Sequence, residues 1–137
     1  VAELIVFPDV EDLLRRHFAE SIPPRISGVQ AFAATLPTTL PAKSVLVRRT
    51  GGPADSLVID RPQITCESRA KTPGAAHELA QLVRALIGAA EREGVIGDVP
   101  VYDVRELSGL YLDPDPLNPT HARYSATYQV AVRGTAA

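Results

Sequence analysis

Apolar and polar positions along this chain repeat with two different periods, and the change from one to the other marks out the elements. Val10, Leu13, Leu14 and Phe18 recur at three- and four-residue steps, which predicts an amphipathic helix. Asp9 stands ahead of it as a capping carboxylate, acids precede bases along it as the helix dipole favours, and Pro23 and Pro24 bar its continuation. From Gly28 to Thr35, Val29, Ala31 and Ala33 alternate against Gln30 and Phe32, a short strand pattern. Ser44 to Arg49 reads as a β-branched strand that ends in the turn signal Thr50-Gly51-Gly52-Pro53. The run Leu57 to Ser68 is expected to pair back as the other arm of a hairpin, with a bulge, an edge position or a break at Pro62, which has no N–H for a ladder.

The second half repeats the alternation of periods. Thr72-Pro73 is a hydroxyl cap with proline at the first helical position, and Leu79, Leu82, Val83, Leu86 and Ala90 form the stripe of a long helix closed by Gly94. Val99 to Val104 opens a strand expected to run on toward Leu112. Three prolines in Asp113-Pro114-Asp115-Pro116-Leu117-Asn118-Pro119 exclude regular structure and predict a projecting arm near residues 113–120. Tyr124, Ala126, Tyr128, Val130 and Val132 then share one face of a last strand, and the tail from Gly134 is expected to fray. The order α-β-β-β-α-β-β implies one α+β domain over residues 1–137. Its mainly antiparallel sheet of four to five strands carries both helices on one face and leaves the other face and the edges free.

Composition narrows the classes. With 137 residues, 45% hydrophobic and 22% charged, the chain is ordinary for a globular domain and can bury roughly two-thirds of its unfolded surface. A net charge of -2 supplies no general attraction to nucleic acid, and no apolar run reaches the length of a membrane span. The single Cys66 cannot form an internal disulfide and reads as a core residue. A chain with no methionine and no secretory-type leader is expected to be a cytoplasmic product that has lost its initiator ahead of Val1.

Few residues of the chain carry a pattern that points to chemistry. His17, His77 and His121 stand far apart without ligand spacing and read as solvated polar residues, so no metal site is expected. Gly51-Gly52 lacks the lysine and hydroxyl of a phosphate loop and reads as turn chemistry. Asp113 and Asp115 are the one spaced acid pair, but the prolines around them leave too few oxygens for a divalent ion. Arg48 and Arg49 point to opposite faces of their strand, so one shares the core side and is expected to meet a carboxylate, within the chain or across a subunit boundary. No catalytic residue and no cofactor are expected, and the role is read as binding and geometry.

Phe7-Pro8-Asp9-Val10-Glu11 opening the first helix, Arg-Arg-Thr-Gly-Gly-Pro closing a strand at 48–53, and His77-Glu78-Leu79-Ala80-Gln81-Leu82-Val83-Arg84 on the second helix form an ordered set. Pro100-Val101-Tyr102, the Leu112-Asp113-Pro114-Asp115 arm and the closing Tyr128-Gln129-Val130-Ala131-Val132-Arg133-Gly134 extend it over nearly the whole chain. In that order and spacing the chain resembles tail terminator proteins of long-tailed (siphovirus-type) bacteriophages that infect actinobacteria. The stretch from Pro23 to Pro41 matches nothing in that pattern.

The resemblance implies a virion structural protein, made in the host cytoplasm and placed at the tail-neck junction. It would form a homo-oligomeric, hexameric ring on the major tail tube protein, stop tube growth and join the head-closure and connector proteins. DNA would pass through without specific binding, and no membrane is involved. A closed ring uses head-to-tail contacts, so each subunit needs two different complementary surfaces. Arg48, Arg49, Thr50, Asp55 and Arg61 around the hairpin are candidate subunit or tail-interface residues, together with Asp113, Asp115 and Asn118 on the arm. The alternatives are a neck or head-closure protein of the same particle, or a small ligand-binding or enzymatic α+β domain whose site is assembled from distant residues.

Overall fold

A computed structural model of the chain describes residues 2–137. In chain order its elements are β1 (Ile5–Val6), α1 (Val10–Ser21), β2 (Val29–Ala33), β3 (Lys43–Arg49), β4 (Ile59–Asp60), β5 (Gln63–Ala70), α2 (Pro73–Glu93), β6 (Val95–Ile96), β7 (Val99–Leu112), β8 (Ala122–Arg133) and β9 (Thr135–Ala136). The class is α+β with two helices and a mostly antiparallel, curled sheet. Both helices start where the chain supplies a cap. The Asp9 carboxylate accepts the Asp12 N–H at 3.2 Å, and the Thr72 hydroxyl accepts the Ala75 N–H at 3.2 Å. Gly94 ends α2 by donating its N–H to the carbonyls of Ala90 and Glu91.

The strand count and order differ from the expected four to five in α-β-β-β-α-β-β. Four two-residue strands are added, and the longest sheet path runs β2-β3-β5-β8-β7-β6, with β4 also pairing β8. Two residues are too few to show a period, which is why β1, β6 and β9 escape a pattern reading. The tail expected to fray is instead paired, with Thr135 and Ala136 opposite Val6 and Ile5. β4 and β5 are the two halves of the Leu57–Ser68 run, parted at Pro62, whose carbonyl still accepts the Val130 N–H at 3.1 Å. The hairpin therefore closes later than expected. Arg49 pairs with Ile64, and residues 50–62 form a long turn with Ala54 bridged to Asp60.

Strand periodicity sorts the sheet into two faces. Val45 and Val47 of β3, Ile64 and Cys66 of β5, and Ala126, Tyr128, Val130 and Val132 of β8 share one core with Leu14 and Phe18 of α1 and Leu79, Val83 and Ile87 of α2. The opposite, outer face holds Ser44, Glu67, Arg69 and Ser125, all buried although polar or charged. β2 is the exception to antiparallel pairing, lying parallel to β3 at one edge. At the other side β7 shifts register three times against β8, and each extra residue adds local twist. β6 pairs only with Val99 and Pro100, and the Glu91 carboxylate takes the Val104 N–H at 2.7 Å. Beyond that cap Leu107, Tyr111 and Leu112 lie half exposed on the outer stretch of β7.

The long turn is fixed by a close backbone crossing. Gly52 has φ +90, and a Cβ there would collide with the Arg61 carbonyl and lie 2.6 Å from the Gln63 nitrogen. Only glycine meets both demands. Gly52→Ala is expected to lose about 3 kcal/mol of unfolding free energy, from a strained backbone and a forced crossing, read from urea denaturation midpoints at unchanged slope.

Candidate functional site: charged clusters at the two ends of the sheet

The cluster at the arm end follows from register. Glu67 and Arg69 stand two apart on β5 and share the outer face, and antiparallel pairing sets Ser125 and Arg123 of β8 directly across from them. Arg48 of β3 reaches the same carboxylate from the other side, Nε to Glu67 Oε2 at 2.7 Å. Arg69 Nη2 donates to Glu67 Oε1 at 2.7 Å and to Asp115 Oδ2 at 3.1 Å. Arg123 is bridged to Asp113 at 3.2 Å, Glu67 at 3.4 Å and Asp115 at 3.6 Å, and the Ser125 hydroxyl donates to Asp113 at 2.8 Å. Three guanidiniums thus meet three carboxylates, and charge balances within the cluster.

Asp115 also locks the arm upon itself. Asp115 accepts the Asn118 amide at 2.9 Å and the Leu117 N–H at 3.0 Å. The Asn118 amide leads in holding the Asp115 carboxyl down at about 2, against the upward push of burial, with the Leu117 N–H, Arg69 and Arg123 adding to it. His121, read from the sequence as solvated, is buried. Its Nε2 donates to the Pro41 carbonyl at 2.9 Å, since a carbonyl only accepts, while Nδ1 faces the Thr120 hydroxyl at 3.0 Å. That bond ties residues 34–42 to the arm. Among the described residues, Arg69 Nε, Arg69 Nη1 and the Ser44 hydroxyl, the last on the strand residue paired with Arg69, are buried without a partner.

The turn end carries a second cluster. Arg49 spans the long turn, donating to the Gly51 carbonyl at 3.1 Å, the Gly52 carbonyl at 2.8 Å and the Asp60 carboxylate at 3.0 Å. Its own N–H goes to Glu11 of α1 at 2.9 Å. Arg61 bridges Asp55 at 3.0 Å and Asp103 of β7 at 3.1 Å and holds the Asp103 carboxyl below the usual range. Thr50 pairs its N–H with the Gln63 carbonyl at 2.7 Å.

No protein-family model matches the chain, and no curated protein matches it. The geometry alone therefore describes the site. The eight candidate residues fall into two groups at opposite ends of the sheet, not one. Arg49, Thr50, Asp55 and Arg61 occupy the turn end, while Asp113, Asp115 and Asn118 occupy the arm end with Arg48 joined through Glu67. Both adjacent arginines find a carboxylate within the chain. Sequence reasoning missed Asp60, Glu67, Arg69, Asp103 and Arg123. The signal present was the alternation Glu67-Ser68-Arg69, which places two charges on one face of a strand. Cys66 lies in the core, where burial pushes its thiol up to about 12. Among the described residues no three His, Cys, Asp or Glu side chains converge as a metal set, and no helix is long and apolar enough to cross a membrane.

Unequal burial makes the arginines unequal. Arg69→Ala leaves Glu67 and Asp115 short of their cation in a site where the arginine is 2% exposed, and is expected to cost about 3–5 kcal/mol. Arg48, 44% exposed, is expected to cost under about 1 kcal/mol when changed to Ala, with both measured by denaturant unfolding.

Asp115 also predicts an acid limb. Its folded pKa lies below the unfolded value of 3.8, so its contribution is complete above pH 3.8 and is lost as pH falls toward about 2. Thermal melts across that window should show Asp115→Asn less stable than the parent at neutral pH and flatter below pH 3.8.

Proposed function

We propose that this chain is a bacteriophage virion structural protein, a tail terminator whose hexameric ring caps the tail tube, stops its growth and offers the surface that joins the head. The observation that supports this reading best is the placement of two pinned tips at opposite ends of one sheet. The arm joins β7 to β8 beside Ala70, and the long turn precedes Gln63 at the other end of the same pairing. Strands of eight and twelve residues hold those ends roughly 25–40 Å apart. Leu117 at the arm tip is 87% exposed and Leu57 at the turn tip is 81% exposed, the two most exposed large apolar side chains described.

A terminator has two axial neighbours of different kinds, the tube protein on one side and the head-closure or connector proteins on the other. Two unlike tips on one rigid plate suit that demand. The lateral edges suit the ring itself, since β2 and the outer stretch of β7 are unlike surfaces, as a head-to-tail contact requires. Within this reading the salt-bridged candidates act by fixing the tips, and Leu57 and Leu117 make the contacts.

Electron microscopy of the purified protein mixed with polymerising tube subunits tests the proposal. Tubes of arrested length with a cap are expected. Of Leu57→Asp and Leu117→Asp, one should abolish capping and the other should leave capping intact but block head joining. Tubes of unaltered length without decoration would overturn the terminator assignment.

A further inference from the structure

A further cavity lies at neither cluster. It is a cleft of about 290 Å³ where the terminal ladder of β1 and β9 meets the turn between β6 and β7. Val6, Phe7, Val99 and Pro100 form its apolar walls, and Arg133 and Asp98 lie among the same lining residues. The wall formed by residues 5–7 is set by Gly134, where a Cβ would stand 2.7 Å from Ile5 Cγ2 and 2.8 Å from Phe7 Cδ1. The cleft is thus preformed by close packing.

Arg133 donates to the Tyr102 hydroxyl at 3.2 Å, and among the described residues neither Arg133 nor Asp98 has an ion-pair partner within 4.0 Å. Every other arginine of β5 and β8 meets at least one carboxylate. An apolar cleft whose guanidinium and carboxylate have no ion-pair partner among the described residues suits a ligand that joins an apolar side chain, an anion and an N–H donor over a short distance. The volume stands at the low end of small-ligand pockets and accommodates one large side chain.

We propose that this cleft binds the C-terminal residue of a partner polypeptide whose last side chain is apolar. The side chain packs between Phe7 and the Val99-Pro100 wall, the terminal carboxylate meets Arg133, and Asp98 accepts the N–H of the last amide. A terminal residue carries all three groups on one Cα, which an internal acid beside an apolar residue does not. Capture of a chain terminus in this manner is a known mode of peptide recognition. The inference stands on the cleft and does not rest on the ring reading.

The test is an NMR titration of the full chain, labelled with 15N, using N-acetyl-leucine as the carboxylate probe and N-acetyl-leucinamide as its uncharged counterpart. Amide shifts are expected at Phe7, Val99 and Thr135 at millimolar N-acetyl-leucine, with the amide about tenfold weaker. Arg133→Gln, an exposed position, should retain the spectrum of the folded chain and lose the preference for the carboxylate. Equal binding of the two probes, shifts unchanged in Arg133→Gln, or no shifts at millimolar probe would each overturn the proposal.

Discussion

A guanidinium taken almost wholly out of water must find its counter-charges nearby, and Arg69 imposes that demand on the arm end of the fold. Its 2% exposed side chain sits on the outer face of β5, where a half-covered sheet would normally present polar groups to solvent. Glu67 answers from the same strand, Asp115 from the arm, and Arg123 from β8 shares both acids. A segment with prolines at 114, 116 and 119 has few backbone bonds of its own to hold it. Side-chain charge does that work, and the arm is drawn back over the sheet. His121 extends the closure to residues 34–42 through the Pro41 carbonyl.

The turn end solves the same problem with more exposed groups. Arg49 collects three carbonyl and carboxylate acceptors across residues 50–62, and Arg61 ties the turn to β7. Both ends therefore follow one plan: arginine on a strand end, acid on the loop beyond, and an apolar residue left uncovered at the tip. For the proposed ring this means that a tip's position is inherited from the sheet, so its partner meets a surface already ordered.

The helices were legible because each carries its start and stop in local chemistry: Asp9, Thr72, Pro73 and Gly94 cap where they stand in the sequence. The long strands were legible from alternation, and the place of Cys66 from the usual burial of a free cysteine. The two-residue ladders were not, because their pairing depends on where distant segments come to rest. Asp113 and Asp115 were visible as an acidic arm, yet their inward direction depends on Arg69 and Arg123, brought together by β5–β8 register and not by sequence spacing. His121 was misread for the same reason, since its acceptor lies on a loop 80 residues away.

The claim that charge pairing with Arg69 holds the arm is tested most directly by a double-mutant cycle on Arg69→Ala and Asp115→Ala, with unfolding free energies from urea denaturation. The account predicts a coupling of about 1–3 kcal/mol between the two positions. Additive losses, within about 0.5 kcal/mol, would contradict it and leave the arm held by something other than that pair.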